Sequence, residues 1–525
     1  MEGTAGKAPR SRPPTLIARL SRLWRDWATG AVPRPHRIAS SPWAGDPNRD
    51  ARIFLEEKAR AEADNSAGAR FHSFEWLNDL RASGDADARG LALGEISSWI
   101  DLHGDPSTVS WRADILGARL TSWLRAYDFL NPDADLDLRL RRSFARQLLR
   151  LARSAGTGPD GVPRLLAIKG LVFAGACLPG RDALLTRGLT LLERELGRQI
   201  LVDGGHVERS PAAQLEALRV LVELRVLLSE CGIGAPEALH HAIDRVAPML
   251  RFFRHGDGGL ALFNDSGEAD GTEIDAVLAA SEAKGKPPAA ASHLGFQRLS
   301  AERTLVIFDA GAPPPPGLDR RAHAGTLSFE MSAGRERLIV NCGARADSSA
   351  WRTAQRATAA HSTVVVADTN SSELLADGGL GHRPVTVECQ RAEADENIWI
   401  EASHDGYRTF GVIHHRRLYL SAAGDDLRGE DRLTGTAGRP FALRFHIHPE
   451  VQVSLAQNGA MVLLRPPRGP GWRLQVAGGR IGLAESVYLG KAGKPRRCEQ
   501  IVVDGTIGTD GAAVKWAIKR LPTKA

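Results

Sequence analysis

The feature that most constrains this chain is a change of hydrophobic period partway along it. From about Ala51 to Pro288, apolar residues recur at helical spacing. Leu116, Leu120, Trp123, Leu124 and Tyr127 form one stripe, and Leu185, Leu189, Leu192 and Leu196 another. The segments Asp87–Leu102, Leu138–Arg153, Pro163–Ala176, Ala212–Glu230 and Pro236–Phe253 repeat the pattern, with Gly, Pro and Asp in linkers such as Gly156–Pro163 and Leu178–Asp182. Amphipathic helices on short links predict an antiparallel helical array, an incomplete (α/α) toroid. No fixed repeat period is present, which argues against a tetratricopeptide-type solenoid. After Pro313–Pro316 the period shortens. Runs rich in alternating or β-branched residues follow at Pro384–Cys389, Trp399–Ala402, His415–Leu420, Leu443–His448, Met461–Leu464, Trp472–Val476 and Gln500–Val503. Many short strands without intervening helices predict a large antiparallel β-sandwich. Because Ala301–Ala310 already reads as a strand, the expected division is a leader (1–50), a helical domain (51–295) and a sandwich domain (296–525), an α+β multidomain protein.

A chain of 525 residues is too long for one hydrophobic core, consistent with that division. The net charge is only +6, and arginines are interspersed with acids, so no general nucleic-acid surface is expected; a local basic cleft for an acidic substrate remains allowed. The five cysteines are far apart and form no CxxC pair, which predicts free, mostly buried thiols. In the basic, Pro-rich leader, Thr15–Trp27 is amphipathic, but Arg19, Arg22 and Arg25 interrupt what would be the apolar part of a signal peptide. No apolar run has the length of a transmembrane segment. The expectation is a cytoplasmic protein, with a periplasmic one, or a leader lying on a membrane surface, as alternatives.

Candidate chemistry concentrates in Arg320–Glu373. Strand-like runs Thr326–Met331 and Arg337–Asn341 are separated by Ser332-Ala333-Gly334, which is hairpin chemistry, and Ser362–Ala367 is a third run. His323 precedes the first run, Asn341 ends the second and His361 opens the third. If the strands are neighbours, two imidazoles and an amide oxygen could hold zinc or another divalent cation, with water or a further oxygen completing the shell. The alternative is that both histidines are hydrogen-bonded loop residues.

Other candidates lie outside this block. His206, Glu208 and Arg209 follow the Gly204-Gly205 turn and either line a cleft or belong to a helix start in which Ser210 caps and Pro211 leads. His255–Gly259 and Phe263–Gly267 are two further polar loops. Tyr407, in Ser403–Arg408, is the best pairing of a Tyr with a His, or else simply packs in a turn. Trp351 offers a ring to stack on a sugar; Arg352 and Arg356 offer guanidinium forks for carboxylates or sulfates, unless they are merely solvated. The phosphate-loop, dinucleotide-binding, zinc-protease and nucleophile-elbow motifs are all missing from the sequence.

The order of helical toroid then sandwich, with His323–Gly343 and Arg356–Asp368 as its signature, resembles the heparinase II/III-like polysaccharide lyases. Phe71–Gly84 and Asp203–Pro211 are similar to helical-domain segments of the same superfamily. The resemblance implies a structural metal bound by His, Asp and His, positions taken here by His323, Asn341 and His361, with Asn in place of Asp. It implies β-elimination on an acidic, uronate-containing polysaccharide of the glycosaminoglycan type. A polar or cationic group neutralises the carboxylate, a Tyr or His takes the C5 proton, and an acid protonates the leaving oxygen. No organic cofactor is required. The sequence departs from the family pattern at three places. Val162-Pro163-Arg164 stands where an Asn-His pair is common, Ala213 where a Tyr is usual, and Arg321 where a catalytic His commonly sits two residues before the first metal His. With only four tyrosines, the proton carriers expected for a lyase are His206 and Tyr407, with Arg321 at the catalytic position and Glu208, Arg209, Trp351, Arg352 and Arg356 binding substrate. A catalytically silent relative, binding acidic glycan or scaffolding envelope polysaccharide assembly, is the alternative.

Overall fold

The structure is a computed structural model that describes residues 30–38, 40–43, 45–46, 71–103, 109–344, 349–493 and 495–522. The amphipathic Thr15–Trp27 segment lies outside these residues. Among them, no helix is long and apolar enough to cross a membrane.

The helical part comprises α1 (Leu77–Ser83), α2 (Ala86–Leu102), α3 (Ala113–Leu130), α4 (Ala134–Ser154), α5 (Val162–Cys177), α6 (Asp182–Gln199), α7 (Pro211–Glu230), α8 (Glu237–Phe252) and α9 (Gly271–Ser281). Local chemistry sets their ends. Asp85 and Asp133 accept the Ala88 and Leu136 N–H groups at 2.6 and 2.9 Å, and Gly84 and Asn131 close α1 and α3 in the left-handed conformation. The sequence reading missed α9, whose first turn is capped by Asp270.

Two compact units partition the chain. The first holds residues 1–159, 163–192 and 226–234. Its core is an edge-to-face aromatic cluster of Phe74, Trp99, Trp123 and Phe144. Arg119 is fully buried with its guanidinium 3.9 Å from the Trp99 ring centroid and donates to Gln147, His72 and Ser110. Helices α3 and α5 approach at Gly117 and Gly170; a Cβ on Gly117 would fall 2.2 Å from the Leu166 carbonyl oxygen.

The second unit holds residues 160–162, 193–225 and 235–525. Its strands are β1 (Ala290–Ala291), β2 (Phe296–Ala301), β3 (Thr304–Asp309), β4 (Phe329–Ala333), β5 (Glu336–Val340) and β6 (Val364–Val366). Then follow β7 (Val387–Ala394), β8 (Asn397–His404), β9 (Val412–Leu420), β10 (Asp426–Gly435), β11 (Pro440–Ile447) and β12 (Gln452–Ala456). The last are β13 (Met461–Arg465), β14 (Trp472–Ala477), β15 (Arg480–Tyr488), β16 (Arg496–Thr506) and β17 (Ala512–Arg520). Among the described residues, one α-helix, α10 (Ser349–Arg356), interrupts the strands. Two antiparallel sheets result, ordered β1-β2-β3-β4-β5-β11-β16-β15, with β6 on β11, and β12-β13-β14-β17-β10-β9-β8-β7. The alternating burial of β9, with Val412, His414, Arg416, Leu418 and Leu420 inward, shows how each strand gives one face to the core. Between the sheets, Phe329 stacks on Trp516 at 5.5 Å and Phe445 meets the same indole edge-on. A helical N-terminal part followed by an antiparallel sandwich is therefore the fold, as the two periods indicated.

Candidate functional site

The three runs of the signature block are joined differently from the simplest expectation. β4 and β5 form a hairpin, with Ser332 and Ala333 still paired and Gly334-Arg335 making the turn. β6 pairs with β11, which in turn pairs with β5. Nevertheless His323 and His361 converge, with His323 Nδ1 3.1 Å from His361 Nε2. Asn341 sits beside them, its Oδ1 accepting the Ser362 N–H at 3.0 Å.

The hydrogen bonds around this trio settle which nitrogens carry protons. The Asp265 backbone N–H, which can only donate, points at His323 Nε2 at 2.9 Å. His323 Nε2 is therefore an acceptor and its proton sits on Nδ1. That proton is directed at His361 Nε2, while His361 Nδ1 donates to the Ala357 carbonyl at 2.8 Å. Burial lowers both imidazoles, His361 to about 4, so the neutral tautomers fit the chain of donors and acceptors. A zinc ion between the rings would need a lone pair on each facing nitrogen, and His323 Nδ1 has none in this arrangement. Asn341 contributes no negative charge, its Nδ2 is buried without a hydrogen-bond partner, and the Arg352 and Arg356 guanidiniums act on His323. Among the described residues, no group of three His, Cys, Asp or Glu side chains is arranged to hold a metal. The expected ligands meet, but as a hydrogen-bonded clasp whose donor set does not fit zinc.

Next to the clasp lies an ionic cluster built from four segments. Glu208, in the loop after α6, accepts the Val162 N–H at 2.9 Å and takes the Arg321 Nε at 3.1 Å. Arg321 Nη2 also reaches Glu216 on α7 at 2.8 Å. The Phe263–Gly267 loop adds Asn264, whose Oδ1 accepts the His323 N–H and whose Nδ2 donates to the Arg209 carbonyl, and Asp265, which acts electrostatically on Arg321. The Glu208 side chain is only 6% exposed, and burial lifts its carboxyl to about 6 against the pull of Arg321 and the Val162 N–H. Glu216 was not singled out from sequence, and Asp265 was named only as part of the Phe263–Gly267 loop. Nothing in the sequence set Glu216 apart, because α7 also carries Gln214, Arg219, Glu223 and Arg225.

Several expected roles are corrected by this geometry. Tyr407 is fully buried between the sheets and donates its hydroxyl to the Val364 carbonyl at 2.6 Å; burial also pushes its pKa well above the usual range. It cannot meet a substrate. His206 is buried, donates from Nε2 to Gln199 Oε1 at 3.0 Å, and is lowered to about 3 by burial and by Arg321. At 1% exposure and with its ring bonded to Gln199, it is not presented to a substrate. Arg209 is held by Asp309, by the Leu294 carbonyl at 2.7 Å and by the Phe296 ring at 4.7 Å. Arg356 is buried and donates to the Ala322 carbonyl at 2.8 Å. Both forks are buried, and neither is presented to a substrate. Arg321 is committed to two carboxylates. Arg352 is exposed and Trp351 half-exposed, both on α10. At the departures noted above, Ala213 is fully buried and Val162 serves as the donor to Glu208.

A helical array leading into an antiparallel sandwich, with a His-Asn-His clasp at the sandwich, defines the polysaccharide-lyase class of architecture. The model of the Heparinase II/III-like C-terminal domain matches residues 283–517. The chain is 34% identical over 476 residues to FtsZ-localized protein C of Caulobacter vibrioides, covering 86% of this chain and 81% of that protein. It belongs to the heparinase II/III-like family. Among solved structures it is similar to heparinase III, with a TM-score of 0.73 and 14% identity over 86% of this chain and 77% of that one. A heparan sulfate lyase HepC mutant from Pedobacter heparinus aligns with a TM-score of 0.64 and 15% identity, covering 97% of this chain and 89% of that one. Likeness at that identity establishes the fold.

Proposed function

We propose that this chain is a catalytically silent heparinase II/III-like protein that works by association, localising with FtsZ, and does not cleave a polysaccharide. The observation that carries the reading is the state of the groups β-elimination would need. Each of the four tyrosine hydroxyls is already engaged: Tyr127 by Asp137, Tyr407 by Val364, Tyr419 by Asn397 and Tyr488 by Glu268. His206 is buried with its ring bonded to Gln199, and the guanidinium at the catalytic position is neutralised by Glu208 and Glu216, so it has little charge to offer a uronate. The likeness to a protein named for its localisation with FtsZ, at 34% identity, supports the second half of the reading. The His323–His361 clasp, on the same reading, holds the fold without a metal.

Two measurements test this. Purified chain is incubated with a panel of acidic glycans while the ultraviolet absorbance of unsaturated uronate is followed; no rise is expected. A rise that is lost in Arg321→Ala restores the lyase reading. In parallel, the chain is sedimented with FtsZ polymers, and co-pelleting is expected; a chain left in the supernatant refutes the association.

A further inference from the structure

The surface of the first unit holds a cluster of cations that nothing above uses. Arg139, Arg142, Arg146, Arg150 and Arg153 are spaced i, i+3, i+7, i+11 and i+14 along α4, which places them on one helix face. Arg139 is paired, donating to Asp101 and to Ser97 at 2.5 and 3.1 Å. Arg142 and Arg146 have no carboxylate within salt-bridge distance among the described residues. At this end of the helix a cavity of about 320 Å³ opens, lined by Arg139, Arg142 and Arg146 with Ile100, Ala145 and Gly30. Gly30 forms the wall close to the charge: it has φ +91°, and a Cβ there would lie 3.3 Å from Arg142 Nε.

Three guanidiniums and one carboxylate leave this hollow with a charge of about +2. Like charges held in one concavity repel unless an anion joins them. A carboxylate brings one negative charge, while a phosphate monoester brings about −1.5 to −2 near pH 7 together with three acceptor oxygens for the guanidinium forks. The preceding leader does not suit the position, since residues 1–29 hold six Lys or Arg against two acids. We propose that Arg139, Arg142 and Arg146 form a binding site for a phosphate monoester, whose attached group rests on Ile100 and Ala145. The site is independent of whether the chain cleaves glycans, because it lies on other residues.

The phosphomonoester has two sources, a small soluble metabolite or the headgroup of phosphatidic acid, and the test separates them. Full-length protein is titrated calorimetrically with glycerol 3-phosphate and, separately, floated with phosphatidylcholine vesicles carrying either phosphatidic acid or phosphatidylglycerol. Saturable binding of glycerol 3-phosphate assigns the soluble source, and retention on phosphatidic acid vesicles alone assigns the lipid. In either case Arg142→Gln/Arg146→Gln weakens binding at least roughly tenfold, the loss of two charge-assisted forks. Arg153→Gln, on the same face but outside the cavity, leaves binding unchanged. Because neither exchanged guanidinium has an ionic partner among the described residues, the double variant is expected to keep the wild-type Tm, and its binding defect reports on the site. Absence of binding to both probes, equal retention on phosphatidylglycerol (a diester of single charge), or unchanged binding by the double variant overturns the proposal.

Discussion

Replacing Arg321 by Met tests whether this residue is a structural ion-pair partner. The substitution keeps the apolar stem and removes the charge. Glu208 then stands buried with the Val162 N–H as its remaining hydrogen-bond donor. Breaking a buried pair by removing one partner costs about 3–5 kcal/mol. The Arg321 side chain is 24% exposed and Glu216 44% exposed, so the share owed to Glu216 is screened and small. A loss of about 2–4 kcal/mol near pH 8 is therefore expected. The pH dependence gives the cause. The Glu208 carboxyl is raised in the fold from 4.5 to about 6, so between those values the folded state binds more protons than the unfolded one. Stability is accordingly greatest below the unfolded value and falls as pH rises through the folded one, by about 2 kcal/mol in the wild type. Removing Arg321 raises the carboxyl further, so the variant's fall extends to higher pH and its deficit shrinks on acidification to about pH 5, where protonated Glu208 needs no counter-charge. Urea denaturation at both pH values, with Glu208→Gln/Arg321→Met as the rescue, measures this. A deficit that is the same at both pH values, or a double variant no more stable than Arg321→Met at high pH, refutes the reasoning.

Three further outcomes follow from the same geometry. Chelator treatment should leave the Tm of the wild type unchanged and metal analysis should find no stoichiometric zinc, because His323 Nδ1 carries a proton; a chelator-sensitive Tm would sink the clasp. Arg321→His, which returns the imidazole common in the family, should yield no unsaturated uronate, since each tyrosine hydroxyl remains engaged; turnover by this variant would show that one residue silences the site. Asp431 accepts from Arg416, His414 and Trp516 between the sheets, so Asp431→Asn should destabilise the sandwich by about 3–5 kcal/mol in thermal unfolding, as expected when a buried ion pair loses one member. A shift below about 1 kcal/mol would mean that the network is dispensable.

The layout of the protein was legible in its residues because it rests on local periodicity. A 3.6-residue stripe needs a neighbour to bury it and an alternating strand needs a facing sheet, so the succession of helices and sandwich follows from the order of the two patterns. The convergence of His323, Asn341 and His361 was also legible, since each flanks a strand-like run. What the linear chain did not disclose is the partner of each polar group, because those partners come from segments far apart. The metal reading turned on whether His323 Nδ1 keeps a lone pair, and that is decided by a backbone N–H fifty-eight positions away, at Asp265. Tyr407 looked available beside a His in a turn; only packing of the two sheets buries it and gives its hydroxyl to Val364. Arg321 stands at a catalytic position of the family pattern, but Glu208 and Glu216, from a loop and a helix more than a hundred residues earlier, are folded against it. Sequence by itself thus determined which elements form and in what order, because backbone period is a local property. The tertiary structure alone decided which charges are spent on one another, because desolvation and pairing depend on who is brought together.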